Sequence, residues 1–351
     1  MKTLNIFTNK PDSLPQGKAD FLLASSITRT CEIGGITHFV TPANISLTPT
    51  LDAEYLINEK VFSLKAFLQT PNNIPRPTLI SRAIHNLAPF SSIEILDLGL
   101  EVTPQNVSLN SFNLKPSSSI VKGADIDAKE VFRKGMSFGK NYELKGNYLI
   151  LAESVPAGTT TATASCLALG YACKNDFSSS FAHESSSNKA ETIRQAIRLT
   201  NQKMTNFEKL SIVSDNMLLF CAGFLLEASR RFHVVLAGGT QMAACLLIAD
   251  KLREDVLMQL KSQNITLATT SWIVNDSHSD IQHLLSLLSY TPHAIYTEFS
   301  FANTEIEILK KYDDGEVKEG VGAGASLAYG VANGLDAEQV LNEIELLVYS
   351  L

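Results

Sequence analysis

The sequence predicts an α/β fold: a mainly parallel sheet with helices on both faces, a Rossmann-like three-layer arrangement, plus a smaller lobe from the N- and C-terminal segments. Three observations predict it. From about residue 90, short apolar β-rich runs alternate with stretches whose apolar residues recur every three or four positions. That alternation means βα units, and βα units pair their strands in parallel under helices on both sides. The chain has 351 residues, 45% of them hydrophobic, which is enough for a large core, and no repeat or low-complexity tract divides it.

Residues 1–90 are the least regular part. "LNIFTNK" and "THFVTP" read as strands, "DAEYLINEKVFSLKAFL" as partly helical, and "QTPNNIPRPT" as a Pro/Asn loop. This segment is expected to join the sheet or form the small lobe. Residues 91–330 form the core unit. Its strands are "IEILDLGL", "YLILAES", "FHVVLAGG", "ITLATTSWIV" and "HAIYTEFSF", and helical periods lie between them. Asn188 followed by Glu191 reads as a capping box, and Thr240 after Gly238-Gly239 as a helix cap. Residues 331–351 hold a final helix, "DAEQVLNEIELLVYSL", expected to pack on the small lobe.

The net charge of -7 gives no electrostatic reason to expect nucleic acid or an anionic membrane as partner. The N-terminus has no apolar run of the length a secretory signal needs, so the expected location is the cytoplasm. Five widely spaced cysteines, with no C-x-x-C among them, suggest reduced core thiols rather than disulfides or a zinc site. Neither a metal nor a cofactor is expected. A small molecule is the expected partner.

Three turns are candidates for holding it: 153–161 (ESVPAGTTT), 236–241 (LAGGTQ) and 319–326 (EGVGAGAS). Each places backbone N–H groups at a helix start, which suits one phosphorylated ligand. The candidates are Gly158, Thr159 and Thr160, then Gly238 and Gly239, then Gly320, Gly322 and Gly324. The same turns are open to a plainer reading as tight packing. Lys189 and Arg194, on the helix after the first turn, carry charge that would neutralise phosphate. Glu153 ends an apolar strand, where partial burial raises a carboxylate towards the range useful for acid/base work. Glu319 adjoins the last turn within a charged stretch that also suits a solvated surface. No nucleophile motif such as G-x-S-x-G is present, so transfer run by carboxylates fits better than covalent catalysis.

"ESVPAGTTTATASCLALGY", "NKAETIRQAI", "VVLAGGTQMAA" and "KEGVGAGAS", in that order, resemble the nicotinate-nucleotide:dimethylbenzimidazole phosphoribosyltransferase family, in its archaeal and cyanobacterial branch. "TPANISLTPTLDAEYL" and "RPTLISRA" extend the resemblance over most of the chain. It implies a homodimeric enzyme that moves phosphoribose from nicotinate mononucleotide to a nitrogen of an aromatic base such as 5,6-dimethylbenzimidazole. The product is an α-ribazole phosphate for the cobalamin lower ligand. The resemblance makes Glu153 and Glu319 the catalytic candidates and sets Asn188 and Lys189 towards the phosphate. It matches Gly322 to Ser326 with the family's last glycine loop. The family's base precedes a Gly-x-Gly; counted from Gly322 and Gly324, that register lands on Val321, with Glu319 two residues earlier. The alternatives are a nucleotide-binding protein of the same fold without catalysis, and a nucleotide hydrolase.

Overall fold

In the computed structural model eight strands form one sheet, ordered β1-β8-β7-β6-β5-β2-β3-β4. The structure describes residues 1–37, 42–64, 74–178 and 187–351, with residues 42 and 43 described by their backbone alone. The strands are β1 (Lys2–Asn5), β2 (Ala19–Ser25), β3 (Ser92–Asp97), β4 (Leu109–Ser111), β5 (Tyr148–Ser154), β6 (Val234–Ala237), β7 (Ile265–Thr270) and β8 (His293–Glu298). All neighbours pair in parallel except the edge strand β1, which runs antiparallel to β8.

The helices are α1 (Thr48–Asn58), α2 (Thr78–Leu87), α3 (Ala128–Asn141), α4 (Gly158–Ala168), α5 (Ser187–Arg198), α6 (Asn206–Val213), α7 (Asn216–Ala228), α8 (Thr240–Asp255), the short α9 (Ser271–Val274) and α10 (Ile281–Ser286), α11 (Ala323–Ala332) and α12 (Ala337–Tyr349). They lie in two layers because the central strands are apolar on both faces. Along β5, Leu149 and Leu151 join the core under α3, α4, α7 and α8, whereas Tyr148, Ile150 and Ala152 join the core under α1, α2, α11 and α12. Helices from both chain ends, α1, α2 and α12, pack beside α11 and share that second core with the sheet.

The central strand β2 is missing from the strands read off the sequence. Its residues, ADFLLAS, include no β-branched side chain, so only its position between β3 and β5 reveals it. "ITLATTSWIV" splits at Thr270, whose side chain accepts from the Ile273 N–H and starts α9. Asn188 lies inside α5 rather than capping it, and Gly239, not Thr240, is the N-cap of α8. Residues 38–41 of the predicted strand "THFVTP" lie outside the described residues, as does the first half of "QTPNNIPRPT". Among the described residues no helix is long and apolar enough to cross a membrane.

Strand order reverses at β2 and β5. The chain from β2 crosses to β3 through α1 and α2 on one face, and the chain from β5 crosses to β6 through α4 to α7 on the other. Crossovers that leave on opposite faces open a crevice at the carboxyl edge, where open α/β sheets bind ligands.

Candidate active site

That crevice holds the two glutamates. Glu153 is the penultimate residue of β5 and is 8% exposed. Its Oε2 accepts from the Val155 N–H at 3.2 Å and from Gln241 Nε2 at 3.3 Å. Burial pushes its pKa up to about 8, and the neighbouring charge of Glu319 adds to the rise, as do Asp52 and Asp215. Glu319 is part-buried. Its Oε2 accepts from Thr269 Oγ1 at 3.2 Å and the Thr270 N–H at 3.1 Å, and its Oε1 from the Gly320 and Gly324 N–H groups, both at 3.2 Å. Burial raises its pKa to about 7 against the pull of those four donors. The turn after β6 runs between the two acids. A Cβ on Gly238 would lie 3.8 Å from Glu153 Cγ, and one on Gly239 would lie 3.7 Å from Glu319 Cβ.

Two lysines adjoin the same cleft. Lys189, from α5, donates to Thr159 Oγ1 at 3.1 Å and to the Ser178 carbonyl at 2.9 Å. Burial lowers its pKa to about 8, and the Lys318 charge lowers it further. Lys318 pairs with Asp276 at 2.9 Å. The N-terminal ends of α4 (Gly158, Thr159) and α8 (Thr240, Gln241) face the same cleft. Two helix starts beside buried lysines have the chemistry that suits an anion.

The cleft therefore brings together Glu153, Glu319, Gly158, Thr159, Gly239 and Gly320, with Lys189 bonded to its wall. Other predicted residues stand behind it. Thr160 is fully buried and absent from the cleft lining, and Gly238 packs against Met242. Asn188 is exposed and donates to the Gly34 carbonyl at 2.8 Å, and Arg194 pairs with Glu191 on the surface.

Gly322 and Gly324 do not face the cleft. Gly322 has φ +71°, and a Cβ there would come within 2.8 Å of the Ala152 Cβ under the sheet. A Cβ on Gly324 would fall 2.1 Å from the Thr269 carbonyl carbon. The third glycine turn thus seats α11 on the strands, and its free amide N–H groups are taken by Glu319 rather than left for phosphate.

The register that lands on Val321 is corrected by the same loop. Val321 turns its side chain into the apolar core, 3% exposed, with φ 51°. Its N–H donates to the Glu153 carbonyl at 3.0 Å and its carbonyl accepts from Ser81 Oγ at 2.7 Å. Glu319 itself directly precedes a Gly-x-Gly, Gly320-Val321-Gly322, and it is the residue whose carboxylate reaches the cleft.

Sequence reasoning missed Gln241, Ser178, Lys318, Asp52 and Arg76, all of which line the cleft. Asp52 and Arg76 fall within the quoted stretches "TPANISLTPTLDAEYL" and "RPTLISRA", so a signal was present without a role attached to it.

A UPF0284 protein from Sulfurisphaera tokodaii is 32% identical over 346 residues, covering 98% of this chain and 96% of that protein. The chain belongs to the UPF0284 family. A further member, from Methanocaldococcus jannaschii, is 33% identical over 305 residues, covering 86% of this chain and 85% of its own. Residues 87–261 match the family model described as Phosphoribosyltransferase, the family that the motifs resemble. The crystal structure of nicotinate-nucleotide-dimethylbenzimidazole phosphoribosyltransferase from Thermus thermophilus superposes with a TM-score of 0.61 at 15% identity, covering 95% of this chain and 83% of that one. At that identity the likeness shows a shared fold.

Proposed function

We propose that this UPF0284 protein transfers phosphoribose from nicotinate mononucleotide, or a close relative, to a ring nitrogen of an aromatic base such as 5,6-dimethylbenzimidazole. The observation that carries the reading is that buried Glu153 and part-buried Glu319 share one cleft with the N-termini of α4 and α8, with Lys189 bonded to its Thr159. The family-model match supports phosphoribosyl transfer, and the printed activity of the Thermus thermophilus protein supplies the substrates to test.

In this reading the 5′-phosphate lies against Thr159, Thr240 and Lys189. The bond from C1′ to the pyridinium nitrogen breaks, and that nitrogen keeps the electron pair. The unprotonated ring nitrogen of the acceptor bonds to C1′ from the opposite face, and the proton on the ring's other nitrogen passes to a carboxylate. Glu319, whose four hydrogen-bond donors favour its ionised form, is the better base and the negative charge beside the ribose as positive charge builds there; Glu153, with two donors, holds its proton and positions the acceptor. Carboxylates and a dry cleft make this stabilisation stronger than it would be in water. Glu319 in the cleft weighs against the non-catalytic reading, which leaned on Val321.

The test is chromatography of the purified protein with nicotinate mononucleotide and, in separate tubes, dimethylbenzimidazole, benzimidazole, adenine, phenol or no acceptor. The expected result is nicotinate release coupled to a new α-nucleotide with one acceptor class. Nicotinate and ribose phosphate without acceptor would make the protein a hydrolase. Silence in every tube would overturn both. The resemblance further implies a homodimer, which sedimentation of the purified protein tests.

A further inference from the structure

The cleft holds a third buried acid that no step above uses. Asp52, in the middle of α1, is 2% exposed. One of its oxygens, Oδ2, takes both of its bonds: Arg76 Nη2 at 2.7 Å and Ser154 Oγ at 2.6 Å. The other oxygen, Oδ1, has no partner. Arg76 is also directed at the Thr48 carbonyl, at 3.4 Å, and its neighbour Pro75 accepts from the Tyr312 hydroxyl at 2.6 Å. Helix α1, the segment leading into α2 and the last residue of β5 therefore meet at a single oxygen atom. Ser154 stands next to Glu153 in the chain. A buried ion pair is a poor source of net stability, since apolar side chains of the same volume do as well. A buried carboxylate with one oxygen unbonded is poorer still. Its place, one residue from Glu153, points to the chemistry instead.

We propose that Asp52 is a positioning residue: through Ser154 it fixes Glu153 at the end of β5, and its under-bonded carboxylate supplies a negative charge that keeps the proton on Glu153. Asp52 and Glu319 act on Glu153 as neighbouring acids, and Asp215, at the N-cap of α7, adds a third; burial raises both aspartates, and the Arg76 guanidinium and the Ser154 hydroxyl pull Asp52 back towards its charged form. Arg76 is the cation on this side, and it is engaged with Asp52. Lys189 stands on the other wall, with Lys318 held by Asp276. Glu153 thus keeps its proton while Glu319 gives up its own, and the two acids divide the roles of acid and base. The first half of the role holds for the protein at rest; only its kinetic consequence rests on the proposed transfer reaction.

The experiment reads the titration of Glu153 directly. The carboxyl infrared band that disappears in Glu153→Gln is followed against pH in the wild type, in Asp52→Asn and in Asp52→Glu. The expected result is a midpoint near 8 in the wild type, lower by about one pH unit in Asp52→Asn and partly restored in Asp52→Glu. Should Asp52→Asn fail to fold, Asp52→Leu combined with Arg76→Met removes both charges and leaves no stranded cation, and its midpoint should still fall. An unchanged midpoint in a folded variant overturns the proposal, and thermal melting establishes which variants are folded. Where turnover is seen, the limb of the kcat–pH profile that follows Glu153 should move with the infrared midpoint while donor KM stays within about threefold; a limb that stays in place also overturns it. A shifted midpoint in a protein that turns over no donor would sink the transferase reading and leave the role of Asp52 standing.

Discussion

The two walls of the cleft bury charge of opposite sign, and they stabilise it by different means. Lys318, on the cationic wall, has a carboxylate partner in Asp276 at 2.9 Å. Glu319, on the acid wall, is held by two backbone N–H groups of its own loop and by Thr269 and Thr270. Glu153 is held by one backbone N–H and the Gln241 amide. Hydrogen-bond donors favour the ionised carboxylate just as an ion pair does, but at the two acids burial outweighs them, and it lowers Lys189 in the same way. Burial thus moves Glu153, Glu319 and Lys189 towards neutral pH, whereas Lys318 keeps a carboxylate partner.

The hardest test of this contrast removes proton exchange from the acid wall without changing its shape. Glu153→Gln and Glu319→Gln should each lower kcat by about 10² or more, with donor affinity by calorimetry within about threefold of the wild type. Wild-type turnover in either variant would make that carboxylate structural. Gly322→Val comes next and separates packing from binding. With φ +71° and Ala152 Cβ 2.8 Å from the new atom, the change should cost about 1–3 kcal/mol of stability. Donor affinity of the folded fraction should be unchanged; a selective loss of affinity at full stability would return this glycine to the phosphate site. Lys189→Met probes the other wall, where donor affinity should fall about tenfold through the lost charged hydrogen bond while kcat at saturation changes less. An equal loss in kcat would place Lys189 in the chemistry.

The acid wall was half legible in the sequence, and the reason is physical. Glu153 stood out because "YLILAES" is a strand by composition and length, so the residues at its end have a known place at the carboxyl edge. Glu319 sits after "KKYDDGEVK", a run that reads as surface, and only the fold shows the loop turning back over β7. The glycines after it were legible as a helix start. What occupies the amide N–H groups there was not, because a carboxylate five residues before Gly324 leaves no trace in spacing statistics. Asp52 and Arg76 lie 24 residues apart with no periodic relation. They meet because α1 packs against α2 within the crossover from β2 to β3, and β2 was itself the strand that propensity failed to mark.

The smallest expected effect needs no substrate, and it sets the two walls against each other through pH. Glu153 holds its proton up to about 8 in the folded protein, against an ordinary value of 4.5. Between those values the unfolded chain is the more ionised, so this group takes stability away as pH rises from 4.5 to about 8. Lys189 has the reverse sign. Its pKa falls from 10.5 to about 8, so it costs stability below pH 8 and that cost disappears as pH rises to 10.5. The melting temperature of Glu153→Gln should therefore match the wild type near pH 4.5 and exceed it by about 2 °C or more above pH 8. Lys189→Met should exceed the wild type below pH 8 and converge on it towards pH 10.5. Parallel melting curves across this range would mean that neither wall is dry, and the opposition between them would fail; crossing curves would show that burial drives both signs towards neutrality in the empty cleft.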